Sequence, residues 1–128
     1  MKLRVKNNSV RLRLTQGDVA RFNDSGRVEE AIEFGIEPHQ RFVYALETVA
    51  KTEMMRATIE NNRITIFVPK AQADEWANTA RVEMEAEQEI GGGKTLRLLI
   101  EKDFACLEPR AGETDADTFS HPLEGKVC

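Results

Sequence analysis

Cysteine, aromatic side chains and long apolar runs are all scarce in this chain. Its 128 residues include 2 cysteines and 6% aromatics. Two cysteines, Cys106 and Cys128, are too few for a disulfide framework, so burial must hold the fold together. No stretch approaches the ~20 consecutive apolar residues that a membrane-spanning helix needs. The opening Met1-Lys2-Leu3-Arg4-Val5-Lys6 alternates charged and apolar side chains and lacks the continuous apolar segment of a signal peptide. Cytoplasm is the expected compartment, with no membrane partner. Histidine is scarce too, at two residues, His39 and His121. No nucleophile, base and orienting group share a short spacing, so the expectation is a non-enzyme without a cofactor.

What is present is ordinary in bulk, at 41% hydrophobic and 31% charged. That composition suits one soluble domain. The net charge of −4 hides an asymmetry. Lys2, Arg4, Lys6, Arg11 and Arg13 fall in the first thirteen positions, which hold no acid. The rest of the chain has 13 bases against 22 acids. A globally acidic protein gains no long-range attraction to a polyanion, so any such contact must be local to the N-terminal end.

Sliding the chain along itself reveals a tandem duplication. Asn7-Asn8 falls on Asn61-Asn62, and Val10, Leu12 and Leu14 fall on Ile64, Ile66 and Val68. Phe22 meets Trp76, and Arg27-Val28-Glu29 meets Arg81-Val82-Glu83. No gap is needed, and matched apolar positions keep the same parity throughout. Residues 1–54 and 55–108 therefore read as two copies of one ββαββ unit, followed by a polar acidic tail over 109–128.

Each copy carries the same local signals. The first strand is Lys2–Lys6, matched by Arg56–Glu60. An Asn-Asn pair follows, and Asn tolerates the positive φ of a tight hairpin turn. The second strand, Ser9–Leu14 matched by Arg63–Val68, has strict period-two alternation. The period then lengthens to that of a helix. Thr15 is a suitable N-cap with Asp18 completing a capping box, and Gly26 is a stop. Pro69 opens the second helix, where a missing N–H costs nothing. The third strand is Val28–Phe34, matched by Val82–Gln88, and the fourth is Arg41–Thr48, matched by Thr95–Lys102. Glu30 stands out, because it has inward parity where the second copy has Met84; a bulge or frayed strand start explains it, or else a buried carboxylate. The expected fold is mainly β with two short helices. Two copies about a pseudo-twofold would share a core and close a barrel, giving a monomer that is an internal pseudo-dimer.

Asn8-Ser9, Arg11-Leu12-Arg13-Leu14, a short helix and Arg27-Val28-Glu29 resemble the swapped-hairpin DNA-binding domains of the AbrB and MazE type. Arg63-Ile64-Thr65-Ile66-Phe67-Val68-Pro69-Lys70, a helix and Arg81-Val82-Glu83-Met84-Glu85 resemble them again. The resemblance covers about residues 1–103. It implies interleaved strand-strand-helix-strand-strand units and DNA contact by the first hairpin. By position, the residues it implies are Arg4, Ser9, Arg11 and Arg13, with Lys6 beside them. The second copy has Thr58, Glu60, Thr65 and Phe67 where the first has Arg4, Lys6, Arg11 and Arg13.

Parity puts Lys2, Arg4, Lys6, Ser9, Arg11 and Arg13 on one outward face. Like charges opposite one another on paired strands repel, so this face needs anionic company. Three sources stand open: nucleic-acid phosphates, another anionic partner, or Glu29, Glu33 and Glu47 on neighbouring strands. The alternative to DNA binding is a protein-interaction domain of the same architecture that has lost DNA binding, with its contacts made by the acidic second copy and the Asp/Glu-rich tail.

Other motifs read as structural. Gly91-Gly92-Gly93-Lys94-Thr95 lacks the earlier glycine and the following helix of a phosphate loop, so it is a hairpin connection. Glu113, Asp115, Asp117 and Glu124 approach calcium-loop spacing, but Thr118 occupies the place that needs glycine. Cys106, His121 and Cys128 are one ligand short of a structural zinc site, so no metal is expected.

Overall fold

Alternating side chains and two Asn-Asn turns organise the first half of each copy. In the computed structural model, which describes residues 1–50 and 54–104, β1 (Lys2–Lys6) and β2 (Ser9–Leu14) form one hairpin, and β5 (Arg56–Glu60) and β6 (Arg63–Pro69) form its counterpart. Asn7, Asn8, Asn61 and Asn62 all have positive φ, between 47° and 61°. That conformation matches turn twist to strand twist in a two-residue hairpin.

Helix α1 (Gln16–Ser25) follows β2, and α2 (Lys70–Asn78) follows β6. The expected capping box is present: the Thr15 hydroxyl accepts from the Asp18 N–H, and Asp18 accepts from the Thr15 N–H. Gly26 ends α1 in the left-handed region at φ 77°. Pro69 is the N-cap of α2 and also the last residue of β6. The second hairpins are β3 (Arg27–Glu33) with β4 (Arg41–Val49), and β7 (Glu83–Gly91) with β8 (Lys94–Lys102). A single 3-10 turn, Pro38–Gln40, precedes β4.

The copies exchange hairpins. One sheet, sheet A, has the order β1-β2-β8-β7, and the other, sheet B, has the order β3-β4-β6-β5. Each sheet thus takes one hairpin from each copy, joined at its centre by a parallel pair, β2 with β8 and β4 with β6. Inward parity then builds one core. Val10, Leu12, Leu14, Met84, Leu98 and Ile100 come from sheet A, and Val28, Tyr44, Leu46, Ala57, Ile66 and Val68 from sheet B. Phe22 of α1 and Trp76 of α2 meet edge to face at 6.2 Å between ring centres and complete it. Trp76 is fully buried, and its indole N–H donates to the Val82 carbonyl at 3.0 Å.

The sheets do not close into the barrel expected from the sequence. Backbone ladders stop at the edge strands, and side chains occupy the seams instead. Between β5 and β7, the Gln88 amide donates to the Ala57 carbonyl at 3.0 Å and accepts from the Ala57 N–H at 2.7 Å. It thereby imitates a strand neighbour. Between β1 and β3, the Met1 α-ammonium lies 2.6 Å from Glu30, and the Tyr44 hydroxyl is 2.9 Å from Glu30 and 3.1 Å from the Met1 carbonyl. Glu30 therefore owes its inward parity to this contact and not to a bulge: β3 keeps continuous register with β4 from Arg27 to Glu33. Among the described residues no helix is long and apolar enough to cross a membrane.

Candidate functional site

The outward side chains of sheet A form rows that follow from strand register. One row is Lys2, Arg13, Glu101, Glu83; the next is Arg4, Arg11, Leu99, Glu85; the third is Lys6, Ser9, Arg97, Glu87. The face is thus basic along β1 and β2 and acidic along β7. Leu99, half-buried, lies between the halves, in a groove of about 350 Å³ lined also by Ser9, Arg11, Glu85, Glu87 and Arg97.

All five sequence-derived candidates lie together on the β1–β2 hairpin, but they are not equivalent. Arg13 is committed to Glu101, which its Nε reaches at 2.9 Å. Arg11 also approaches Glu101, at 3.8 Å. The Ser9 hydroxyl turns back to donate to the Lys6 carbonyl. Arg4 and Lys6 are exposed and make no ion pair within the described residues. Lys2, Arg4, Arg11 and Arg13 line a second, smaller cleft of about 250 Å³.

The balancing acids are not the expected ones. Glu29 pairs with Arg27 and Arg63, and Glu47 with Arg27, all on sheet B. The parallel β2–β8 pairing brings Glu101 to Arg13, and Asp103 lies 3.9 Å from Lys2. The sequence reading also missed Glu83, Glu85 and Glu87. Their alternation with Met84 and Ala86 was a legible signal for one acidic strand face, but not for the strand it would neighbour. The counterpart hairpin has its own bases: Arg56 lies over the Phe67 ring at 5.0 Å, and Arg63 bonds Glu29.

A second cluster gathers at Met1. Its α-ammonium lies 2.8 Å from Asp18 and 2.6 Å from Glu30. Burial pushes the Asp18 carboxyl up, yet hydrogen bonds from the ammonium, the Thr15 N–H and the Thr15 hydroxyl, with the ammonium's charge, outweigh it and hold Asp18 at about 2. Burial lowers the ammonium's pKa, but the same two carboxylates leave it raised overall. Burial and the hydrogen bond to Glu30 push Tyr44 up to about 12. Each group already has its partner, so the cluster ties α1, β3 and β4 to the start of β1.

No group of three or more His, Cys, Asp or Glu able to hold a metal ion occurs among the described residues. Cys106, His121, Cys128, the calcium-like tail spacing and the proposed tail itself lie outside them. Gly92 and Gly93 form the β7–β8 turn, both at positive φ as a two-residue hairpin turn requires, and Gly91, which ends β7 beside a register shift, has positive φ as well.

A family model described as a family of unknown function (DUF7009) matches residues 1–123. No curated protein and no solved structure matches the chain, so the resemblance to the AbrB and MazE type gains no support from a matched protein.

Proposed function

We propose that this chain, which belongs to that family of unknown function, is a macromolecule-binding domain whose contact surface is the outer face of sheet A. The observation that carries this reading is the division of one face into a basic half, Lys2, Arg4 and Lys6, and an acidic half, Glu83, Glu85 and Glu87. Such a face suits a protein surface with the opposite arrangement, because complementary potentials select both partner and orientation. A photo-reactive amino acid in place of Leu99 tests it in cells. The expected result is a discrete cross-linked adduct that disappears when Glu83, Glu85 and Glu87 are changed to Lys. No adduct, or one indifferent to those charges, removes the reading.

Nucleic-acid binding is the second reading, favoured by the cleft among Lys2, Arg4, Arg11 and Arg13. Bases on one hairpin contact phosphates, and each neutralised phosphate releases counterions, so binding falls steeply with salt. Glu101 competes with those phosphates for Arg13 and Arg11. Anisotropy with random duplex DNA separates the readings. Phosphate binding requires salt-sensitive affinity that rises in Glu101→Gln and vanishes in Arg4→Glu/Arg11→Glu/Arg13→Glu; no binding at low salt sets it aside.

A further inference from the structure

A symmetry operation applied to the rows of sheet A points to a specific occupant. Consider two copies of the sheet face to face, related by a half-turn about an axis that runs along the strands, midway between β2 and β8. The rotation exchanges left and right across the sheet but keeps each row at its level. Because β1 and β7 are the two edges, β1 of each copy then lies over β7 of the other, and β2 over β8.

The register decides what meets what. Lys2 lies over Glu83, Arg4 over Glu85 and Lys6 over Glu87. In the central strands, Arg13 lies over Glu101, the stem of Arg11 covers Leu99, and Ser9 faces Arg97. No position sets like charge on like, and every charged pair occurs twice. Other placements lose this match: a half-turn about an axis across the strands sets β1 over β1 and opposes bases to bases. Sheet B offers no such match: its row Arg27, Glu47, Phe67, Arg56 would set Arg27 over Arg56, and its row Glu29, Ala45, Thr65, Thr58 pairs no opposite charges.

We propose that the partner of sheet A is a second copy of this chain, held in an isologous dimer by β1-to-β7 charge pairing across the groove at Leu99. The proposal rests on sheet A being the contact face, and it names the occupant. Facing sheets pack about 10 Å apart, a gap that Lys or Arg and Glu side chains can span from opposite sides. A C2 interface uses one self-complementary patch twice, which the rows supply. The contact is small and charged, so it is weak and sensitive to salt.

Sedimentation of the full chain over a concentration series tests this. At about 0.1 M salt the mean mass should rise towards two chains, and at about 1 M, where the screening length drops from about 10 to about 3 Å, the affinity should fall tenfold or more. Arg4→Glu and Glu85→Arg should each be monomeric, since each opposes like charges at the paired positions. Mixed one to one, however, they should form a heterodimer, because one copy then presents acids at both positions and the other presents bases. Positions 4 and 85 lie three strand spacings apart within a chain, roughly 14 Å, so an intrachain bond cannot account for the rescue.

Both sites are exposed, and circular dichroism of each variant confirms that it folds. A natural chain that stays monomeric at low salt, single variants that associate as the natural chain does, or a mixture that stays monomeric overturns the proposal. A monomeric chain whose Leu99 position still cross-links to a different protein overturns the second copy and leaves the binding face standing.

Discussion

The side-chain amide of Gln88 binds both backbone polar groups of Ala57, accepting from its N–H at 2.7 Å and donating to its carbonyl at 3.0 Å. A single side chain thus satisfies the stretch of edge strand that a closed barrel would have paired with backbone. Replacing it leaves two half-buried polar groups without protein partners, and such a group costs about 1–3 kcal/mol. Gln88→Ala should therefore lower unfolding free energy by about 2 kcal/mol. Hydrogen exchange at the Ala57 amide should accelerate more than at Ile66 in the adjacent strand. Equal acceleration at both would show a global effect and refute the seam.

The Met1 ammonium provides a second test. Adding Gly-Ser before Met1 replaces the charge beside Asp18 and Glu30 with a peptide bond. Breaking a largely buried pair while one charge stays behind is costly, though Glu30 is partly solvated, and the expected loss is roughly 2 kcal/mol. Denaturant unfolding of the extended and original chains measures it, and equal midpoints would contradict it.

The same cluster sets a pH dependence. The folded ammonium has a raised pKa, so its contribution is complete below its unfolded value of about 8 and is lost as pH climbs through the folded value. Tyr44, pushed up to about 12, adds a further loss above about pH 10, where the unfolded phenol ionises first. Asp18, held at about 2, acts oppositely: its contribution is present above about pH 4 and disappears as pH falls towards 2. The melting temperature should therefore drop on both flanks, and the alkaline drop below pH 10 should vanish in the extended chain.

Trp76 and Phe22 should dominate the helix-to-core energetics. Trp76→Phe keeps most of the apolar volume and removes one of the two hydrogen bonds to the Val82 carbonyl, which still accepts from the Lys102 N–H at 3.1 Å, so the change should cost only about 0.5–1.5 kcal/mol. Phe22→Ala empties a fully buried site, for about 3–5 kcal/mol. In Phe22→Ala the fluorescence of Trp76, the one tryptophan in the chain, should shift to the red as water gains access.

Gly26 is a conformational requirement. At φ 77° it sits where L side chains are strained, and an added Cβ would come within 2.7 Å of the Thr48 hydroxyl oxygen. Thr48 also donates its backbone N–H to the Gly26 carbonyl at 2.8 Å. Gly26→Ala should cost about 1–3 kcal/mol by urea denaturation, whereas an exposed strand site such as Thr95→Ala should cost far less.

Local physics explains what the sequence made legible. Alternation from Val10 to Leu14 and from Ile64 to Val68 determines which side chains face inward. Thr15 and Asp18 announce a helix start, and paired asparagines announce the turns. Each is a relation among residues a few positions apart. Which strands lie side by side is different, because β2 meets β8 across some ninety residues and nothing in either strand names the other. The partner of Arg13 was consequently sought at Glu29, Glu33 or Glu47 and found at Glu101. The polarity of the sheet A face was hidden for the same reason, since its basic and acidic strands belong to different copies. Closure failed at the seams, where the alternation of β1, β3, β5 and β7 says nothing of Glu30 or Gln88 reaching across.

The exchange of hairpins has a bearing on ancestry. If a single unit assembled with an identical twin, both sheets would be the same, and any base placed on one first hairpin would appear on the other. Neither sheet could acquire a character of its own. Joining the two units in one polypeptide removes that constraint: a mutation in β1 no longer repeats itself in β5, and β7 can turn acidic while β3 keeps its mixture of Arg27, Glu29 and Ala31. Were the two copies descended from one unit, covalent fusion would have converted two interchangeable surfaces into two that selection can shape separately.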